Sequence, residues 1–343
     1  MSAYPDDRPP LLEVSDLHTT FPIRSAWLRR IVGQIQAVAG VSFTVRSGET
    51  LGLVGESGSG KSTLARTIMG LETAARGTIR VAGADISTLR GKAALRMRRD
   101  VQMVFQDPYS SLNPRRTIGR LIAEPWELHG DLVPKANWRR EAAQLLVRVG
   151  LGSEYLDRYP HQLSGGQRQR VSIARALAMR PKVLVCDEAV SALDVSVQAQ
   201  VLNLLEDLQR EFELTYLFVA HDLSVVRHIS DRVMVMYLGK VVEMGDRNSV
   251  FDAPAHPYTV ALLSAIPSAN PWSGPQRKRI ILSGQIPSPA NPPTGCPFRT
   301  RCWKATDLCA EVAPPLELKQ TGTFAACHFP ETPPVELPAS AMG

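Results

Sequence analysis

The sequence lacks long apolar runs. None of its 343 residues lies in a stretch of about 18 or more consecutive apolar residues, the length that a helix needs to cross a bilayer. The first ten residues, MSAYPDDRPP, also lack the apolar core of a secretory signal. Aromatic residues are few (6%), yet 44% hydrophobic and 21% charged residues describe a globular chain and exclude a disordered or collagen-like one. We therefore expect a cytoplasmic protein that crosses no membrane by itself.

Cysteine and proline are scarce in most of the chain and concentrated near its C-terminus. Cys186 is the one cysteine before Cys296, and 16 of the 26 prolines lie from Pro254 onward. Upstream, short β-branched runs alternate with longer helical patterns, which is typical of a mostly parallel sheet with crossover helices. The composition predicts an α/β domain over residues 11–250 and a small Pro/Cys-rich extension over residues 251–335.

A glycine-rich segment stands between a predicted strand, Thr50–Val54, and a predicted helix, Leu64–Met69. Glycines let backbone amides curl around a phosphate at a helix start, Lys61 supplies a positive charge to the terminal phosphates, and Ser62 offers a hydroxyl to Mg²⁺. A glycine-rich turn with a chance lysine would not need this order of strand, loop and helix. We therefore predict a nucleotide site formed by Gly55, Ser57, Gly58, Ser59, Gly60, Lys61, Ser62 and Thr63.

A second predicted strand ends in two carboxylates, Asp187 and Glu188. Ligands of parallel sheets sit at the ends of strands, so Asp187 would hold Mg²⁺ through water and Glu188 would polarise the attacking water. Two acids at a strand end are often merely solvated, but the phosphate loop favours the catalytic interpretation. Cys186 lies inside this strand and is predicted to be a core residue.

The segment Leu163–Arg170, with the sequence LSGGQRQR, resembles the signature of ABC-type ATPases. Other motifs of that family stand in its order along the chain: Gln106 in VFQDP, Ser191–Asp194 after the acidic pair, and His221 in VAHD. Gln106 or His221 alone would more often be an ordinary polar residue. The resemblance implies a P-loop NTPase fold, the ABC ATPase cassette, with a helical subdomain over about residues 107–180.

The same resemblance assigns roles to these motifs. Two cassettes of the family sandwich two ATP molecules head to tail, so each phosphate loop faces the partner's signature. Phe21 lies where the family stacks an aromatic ring on adenine, although a core position, or Trp27 as the stacking residue, are alternatives. Ala189 replaces the family's proline, which would loosen the turn but keep both carboxylates. The implied assignments are Glu188, His221 and Gln106 for catalysis, Ser62, Gln106 and Asp187 for Mg²⁺, and Ser164, Gly165, Gly166, Gln167 and Asp194 for contacts with nucleotide or the second cassette.

The extension resembles the tail of oligopeptide and dipeptide importer ATPases, on segments Ala255–Pro267 and Ile286–Cys296. The closest resemblance is to the second ATPase subunit of such importers. This implies peptide import at the cytoplasmic face of the inner membrane, with a non-identical sister ATPase, two permease subunits and, indirectly, an extracytoplasmic solute-binding protein. Nickel or another small solute is an alternative substrate. A permease helix would dock on the segment Asp107–Tyr159, for which the candidate contacts are Pro108, Tyr109, Pro125 and Trp126, although ordinary packing explains each equally well.

Four cysteines occur within 32 residues, with five, six and seventeen residues between successive cysteines. Disulfides are disfavoured in a cytosolic protein, so metal ligation is the better interpretation, with zinc, an iron–sulfur cluster and free thiols all open from the spacing. The family resemblance favours a [4Fe-4S] cluster, with zinc as the alternative. Because ligands and phosphate loop would lie in separate units, we expect Cys302→Ser to leave ATP binding intact. The predicted ligands are Cys296, Cys302, Cys309 and Cys327.

A soluble ABC ATPase that acts on nucleic acid is the competing function class. The net charge of +6 and the basic stretch Arg90–Arg99 would permit it, although such a run is usually a solvated helix face. Relatives of that class carry two cassettes or a long coiled coil, whereas this chain has one cassette with 100 residues between Thr63 and Ser164. We therefore expect an importer subunit and no nucleic-acid partner.

Overall fold

A computed structural model describes residues 9–25, 30–86, 89, 91–107, 111–191, 193–266 and 279–331 of the chain. Trp27, Pro108 and Tyr109, which the sequence analysis singled out, lie outside these ranges. The chain forms two compact units. The first comprises residues 1–13, 44–50 and 79–219, and the second comprises residues 14–43, 51–78 and 220–343. No helix within the described ranges is both long and apolar enough to span a bilayer.

The secondary-structure elements follow one another in the alternating order that the sequence predicts. The strands are β1 (Pro10–Arg24), β2 (Ile31–Arg46), β3 (Thr50–Val54), β4 (Arg76–Val81), β5 (Ala84–Asp85), β6 (Val101–Val104), β7 (Val183–Asp187), β8 (Thr215–Val219), β9 (Arg232–Tyr237), β10 (Lys240–Asp246), β11 (Glu317–Leu318) and β12 (Phe324–Ala325). The α-helices are α1 (Lys61–Ile68), α2 (Gly91–Asp100), α3 (Ile118–Leu128), α4 (Trp138–Arg148), α5 (Gly165–Leu177), α6 (Val195–Phe212), α7 (Leu223–Ile229), α8 (Arg247–Asp252), α9 (Pro257–Ser264) and α10 (Asp307–Glu311). Short 3₁₀ turns lie at Lys135–Asn137, Ser153–Asp157 and Pro160–Gln162.

In the first unit, three strands run parallel in the order β8-β7-β6. Cys186 of β7 lies opposite Val104 on one side and Phe218 on the other. Every residue of β7 is buried, as expected for a parallel strand that is covered on both faces. Burial raises the pKa of the Cys186 thiol to about 12, which confirms that it is a neutral core residue. The carboxyl ends of β6 and β7 lie at one edge, where Gln106 and Glu188 follow them.

The helical part of the first unit corrects one candidate contact with a permease. Trp126 on α3 is 1% exposed, and its indole Nε1 donates to the carbonyl oxygen of Ala178 over 2.8 Å. Its ring centroid lies 6.3 Å from that of Trp138 at the start of α4. Trp126 is therefore a core residue and is not available on a docking surface, because a large apolar ring with a satisfied N–H packs best inside. Pro125, its neighbour, remains partly exposed.

In the second unit, β3 runs parallel to β9, and β9, β10, β12 and β11 continue the sheet in antiparallel pairs. Leu53 pairs with Met234, and Glu243 pairs with Ala325 of the extension. The predicted strand before the phosphate loop is confirmed, and the helix after it begins at Lys61, earlier than predicted. The phosphate loop and the cysteine segment fall within this same compact unit, and β12 continues the sheet that contains β3.

A buried carboxylate anchors the extension on β10. Glu243 has no exposed surface, and its oxygens accept hydrogen bonds from the N–H groups of Ala255 (2.6 Å) and His256 (3.0 Å). The hydroxyl of Thr323 donates to it over 2.9 Å. Burial raises the pKa of Glu243, against the lowering effect of these donors. One side chain thus satisfies two buried amides ahead of α9 and one hydroxyl beside β12.

We predict that Glu243→Ala lowers the free energy of unfolding by about 3 kcal/mol or more, because two buried amides lose their acceptor. Urea unfolding of the full chain measures this loss. Glu317→Ala is the control, since Glu317 on β11 is exposed and its contact with Lys319 is a long surface pair of 3.5 Å. Equal stabilities of the two variants would contradict the anchoring role.

Candidate nucleotide site

The loop between β3 and α1 holds its backbone in conformations that favour glycine. Gly55 and Gly60 have φ values of 151° and 103°. A Cβ at Gly55 would lie 2.2 Å from the carbonyl oxygen of Met236, and one at Gly60 would lie 2.1 Å from that of Ala37. Neither position has room for a side chain, because the loop backbone lies directly against β9 at Met236 and against β2 at Ala37. Ser57 and Gly58 at the tip of the loop are exposed.

Lys61 places its charge over this loop. Its side chain is nearly buried at 5% exposure, and Nζ donates to the carbonyl oxygens of Gly55 (2.7 Å) and Glu56 (3.1 Å). Ser59 Oγ is buried and finds no hydrogen-bond partner among the described residues. Ser62 and Thr63 lie in the first turn of α1, partly exposed. A positive charge, an unsatisfied hydroxyl and a helix N-terminus together fit a bound phosphate chain.

The acidic pair follows β7 in a tight turn. Asp187 is 4% exposed, whereas Glu188 is partly exposed and has a φ of 49°, in the left-handed region. The Glu188 N–H donates to the carbonyl oxygen of Val219 over 2.9 Å. Its own carbonyl accepts from the N–H (3.1 Å) and the hydroxyl (2.9 Å) of Ser191. The turn is therefore closed by hydrogen bonds although Ala189 stands where a proline was expected.

The structure brings Gln106 and Glu188 together. Gln106 Nε2 donates to Glu188 Oε2 over 2.6 Å, although the two residues lie 82 positions apart in the sequence. Gln106 is exposed just beyond the end of β6. A short hydrogen bond to a carboxylate is a strong one and holds it in a single orientation. One edge of the first unit therefore carries an oriented carboxylate beside an exposed amide.

The signature segment forms an exposed helix start. Ser164 is the N-cap of α5, where its Oγ accepts from the Gln167 N–H (3.3 Å) and its own N–H donates to Gln167 Oε1 (3.0 Å). Ser164 and Gly165 are exposed. At Gly166 a Cβ would lie 2.5 Å from Val197 Cγ1, so this glycine is required for close packing of α5 on α6. Gln167 therefore has a capping role within the chain, a reciprocal arrangement that sequence spacing makes visible.

Three further residues of the predicted site are Asp194, His221 and Phe21. Asp194 is the exposed N-cap residue of α6. His221 is exposed between β8 and α7. Phe21 on β1 is partly buried, which suits a core position and a stacking surface equally. The described contacts add no role to these three residues.

Three residues at the phosphate loop were given no role by the sequence motifs: Glu56, Tyr258 and Arg301. The Glu56 N–H donates to the Tyr258 hydroxyl over 2.8 Å. Arg301 Nη1 and Nη2 donate to the two oxygens of the Glu56 carboxylate over 2.5 and 3.2 Å. Glu56 occupies a variable position of the loop motif, and Arg301 lies 245 residues further along, so no local pattern signals the pair. Arg301 directly precedes Cys302, so the cysteine segment lies next to a residue that contacts the loop.

The four cysteines of the extension line one small cavity of about 10 Å³. Burial raises the pKa of the Cys296 and Cys302 thiols, and that of Cys327 to about 11. Over the described ranges, no three His, Cys, Asp or Glu side chains are arranged to hold a metal ion. The cavity is about the size of one water molecule. The four thiols suit a four-thiolate centre in kind and number.

Comparisons with known proteins agree with this geometry. The family described as ABC transporter matches residues 38–191, and the family described as oligopeptide/dipeptide transporter, C-terminal region, matches residues 242–309. The oligopeptide transport ATP-binding protein AppF of Bacillus subtilis is 52% identical over 93% of this chain and 97% of its own length. The oligopeptide transport ATP-binding protein OppF of Salmonella typhimurium is 49% identical over 92% of this chain and 96% of its own length. The dipeptide transport ATP-binding protein DppF of Haemophilus influenzae is 48% identical over 93% of this chain and 96% of its own length.

Solved structures share the fold. The ATP-binding cassette MJ0796, in a dimeric post-hydrolysis state with ADP and Pi, has a TM-score of 0.60 at 27% identity, covering 69% of this chain and 98% of its own. The cbiO1 protein of Clostridium perfringens has a TM-score of 0.60 at 28% identity, covering 71% and 91%. The predicted α/β cassette is thereby confirmed. This chain belongs to the ABC transporter family, among the ATP-binding proteins of oligopeptide and dipeptide transport.

Proposed function

We propose that this chain hydrolyses ATP to energise the import of dipeptides and oligopeptides through a membrane permease complex. The observation that carries the hydrolytic part is the 2.6 Å hydrogen bond between Gln106 and Glu188, because it orients the carboxylate that a hydrolase needs as its base. The transport part is supported by relatives named for oligopeptide and dipeptide transport that align with 92–93% of this chain. Nickel or another small solute is the alternative cargo.

The second unit binds the phosphates of ATP in this proposal. The loop amides and Ser59 Oγ donate to phosphate oxygens, and Lys61 Nζ exchanges its contacts with Gly55 and Glu56 for the terminal phosphates. Phe21 offers the adenine ring a partly exposed surface. Mg²⁺, when bound, neutralises charge on the phosphates. Its proposed ligands are Ser62, Gln106 and, through water, Asp187.

Hydrolysis in this proposal needs a base and a donor. Glu188 takes a proton from the water that attacks the γ-phosphorus as the bond to the ADP oxygen breaks. Gln106 keeps the Glu188 carboxylate oriented and holds the attacking water. His221 donates to the γ-phosphate. The left-handed turn at Glu188, closed by Ser191 and Val219, limits the motion of the base during this step.

A second cassette completes the site in this proposal. Ser164 and Gly165 are exposed at the start of α5, and Gly166 and Gln167 beside them are partly exposed; a helix start of this kind can bind a phosphate of another molecule. Asp194 lies at the start of α6 and is exposed, which suits a contact between cassettes. The partners are a non-identical sister ATPase, two permease subunits and, indirectly, an extracytoplasmic solute-binding protein. The chain works at the cytoplasmic face of the inner membrane, with no nucleic-acid partner.

We also infer that the extension, residues 251–335, is a domain added to a cassette of residues 11–250 with its helical subdomain at about 107–180. The family matches at residues 38–191 and 242–309 support this division. Cys296, Cys302, Cys309 and Cys327 would hold a [4Fe-4S] cluster, or zinc as the alternative. The shared cavity of the four thiols supports a common ligand. The cluster would stabilise the extension and would carry no electrons for the reaction.

The roles of Lys61 and Glu188 are separable. We predict that Lys61→Ala weakens ATP binding about tenfold or more, because the loop loses its cation. Glu188→Gln keeps binding but slows hydrolysis in the assembled complex about a hundredfold or more, because an amide cannot accept the proton. Isothermal titration and phosphate release measure the two effects. Glu127→Gln, an exposed site on α3, is the matched control, and undiminished hydrolysis by Glu188→Gln would refute the assignment.

Turnover should depend on a partner cassette. We predict that the purified chain hydrolyses ATP slowly when dilute, and that adding the sister ATPase and permeases restores hydrolysis, because Ser164 completes a site in another molecule. Phosphate release against protein concentration measures this dependence, with Glu188→Gln protein as the background. Full activity that is independent of concentration, from a verified monomer, would exclude the head-to-tail arrangement.

Metal content tests the proposed cluster. We predict that complex prepared without oxygen is brown and holds about four iron atoms per chain. Cys302→Ser removes the iron and destabilises the extension, because one ligand is lost. Elemental analysis and the visible absorption spectrum are the measurements, and Cys186→Ser, at a buried position in β7, is the control for loss of a thiol. One zinc and no iron per chain would show that zinc is bound instead of the cluster. A metal-free wild-type complex with a stable extension would exclude both metals.

A further inference from the structure

Glu56 of the phosphate loop is held by two residues of the extension. Its N–H donates to the Tyr258 hydroxyl, at 2.8 Å, and its carboxylate takes both terminal nitrogens of Arg301, at 2.5 and 3.2 Å. All three residues belong to the second compact unit. A bidentate pair of this kind fixes the direction of a carboxylate as well as its position.

The backbone carbonyl of Glu56 connects the contacts with Tyr258 and Arg301 to the phosphate loop. The Glu56 carbonyl oxygen accepts from Lys61 Nζ (3.1 Å) and from the Ser59 N–H (3.2 Å). Lys61 supplies the cation of this loop, and Ser59 carries the buried hydroxyl without a partner among the described residues. Glu56 therefore joins the extension, through its N–H and carboxylate, to two phosphate-binding residues, through its carbonyl.

Arg301 is itself rigidly placed. Its side chain is 7% exposed, whereas that of Glu56 is 27% exposed. The guanidinium carbon lies 6.0 Å from the ring centroid of Tyr237, which packs against Tyr258 (4.8 Å) and Phe298 (5.3 Å). A guanidinium is protonated at any ordinary pH, so Arg301 stays charged beside the Glu56 carboxylate. A nearly buried, permanently charged arginine with a fixed carboxylate partner is an anchor rather than a mobile surface pair.

We propose that Arg301 and Tyr258 are positioning residues for nucleotide binding. They act through Glu56 and hold the loop, with Lys61 and Ser59, in the conformation that receives phosphate. The proposal rests on ATP binding at this loop and adds to it that the extension sets the affinity.

The contact works in both directions. If Arg301 improves ATP binding, thermodynamic linkage requires that bound ATP stabilise the placement of Arg301 by the same factor. Arg301 directly precedes Cys302, in the loop that begins at Cys296. Nucleotide binding should therefore protect the backbone of residues 296–302.

The first test measures the affinity of the full-length chain for a fluorescent ATP analogue. Arg301→Met and Glu56→Gln should each raise Kd about tenfold, and the double variant should match Arg301→Met within about twofold, because both changes break one link. Tyr258→Phe should raise Kd about threefold, since it removes one hydroxyl and leaves no buried charge. Arg299→Met is the matched control in the same segment, because Arg299 donates to the carbonyl and hydroxyl of Thr294 instead.

Two further readouts separate positioning from general stability. In the assembled ATPase, Arg301→Met should raise KM for ATP about tenfold and leave kcat within about twofold, because Gln106 and Glu188 are untouched. Amide exchange of residues 296–302 should slow on addition of the analogue in the wild type and in Arg299→Met, but not in Arg301→Met. If Arg301→Met does not fold, Tyr258→Phe supplies both readouts.

The proposal would be overturned if Arg301→Met and Tyr258→Phe both bound the analogue with a Kd within about twofold of the wild type, while Lys61→Ala lost binding. A wild-type chain that fails to bind the analogue would instead refute the nucleotide site itself. Equal increases in Kd for Arg299→Met and Arg301→Met would also overturn the proposal, since a general loss of stability would then explain both.

Discussion

The structure depends on holding the phosphate loop, which has few side chains to pack, in a conformation that fits a bound phosphate. Gly55 and Gly60 cannot carry side chains, so the loop has little packing of its own and must be held from outside. Part of that support is backbone: the Gly239 N–H donates to the carbonyl oxygen of Ser59 over 2.8 Å. The rest comes from the extension, where Tyr258 and Arg301 contact the neighbouring Glu56. The extension is therefore part of the support of the loop and more than a passive tail.

The carboxylate of Glu188, the proposed base, is held by different contacts. β7 is buried throughout and ends at Asp187, so the next residue emerges at the strand edge with its backbone in a left-handed turn. Hydrogen bonds to Ser191 and Val219 close this turn, and Gln106 holds the Glu188 side chain. The phosphate loop and Glu188 thus rely on separate sets of contacts. We therefore expect substitution of Lys61 to affect binding and substitution of Glu188 to affect hydrolysis.

The extension combines a buried anchor with a pocket lined by cysteines. Glu243 satisfies two buried amides and joins the extension to β10, while four thiols line one small cavity. Two of these cysteines, Cys296 and Cys302, lie on either side of Arg301 in the sequence. The contact of Arg301 with Glu56 therefore brings the cysteine segment next to the phosphate loop.

Features that depend on neighbouring residues could be predicted from the sequence. The phosphate loop and the buried strand ahead of Asp187 rest on glycine positions and one apolar run, which are visible in a linear sequence. Only the folded chain shows that Trp126 is buried, that Gln106 contacts Glu188, and that Arg301 reaches Glu56 across 245 residues. Such contacts join segments that only the folded sheet and helices bring together, so no local pattern encodes them.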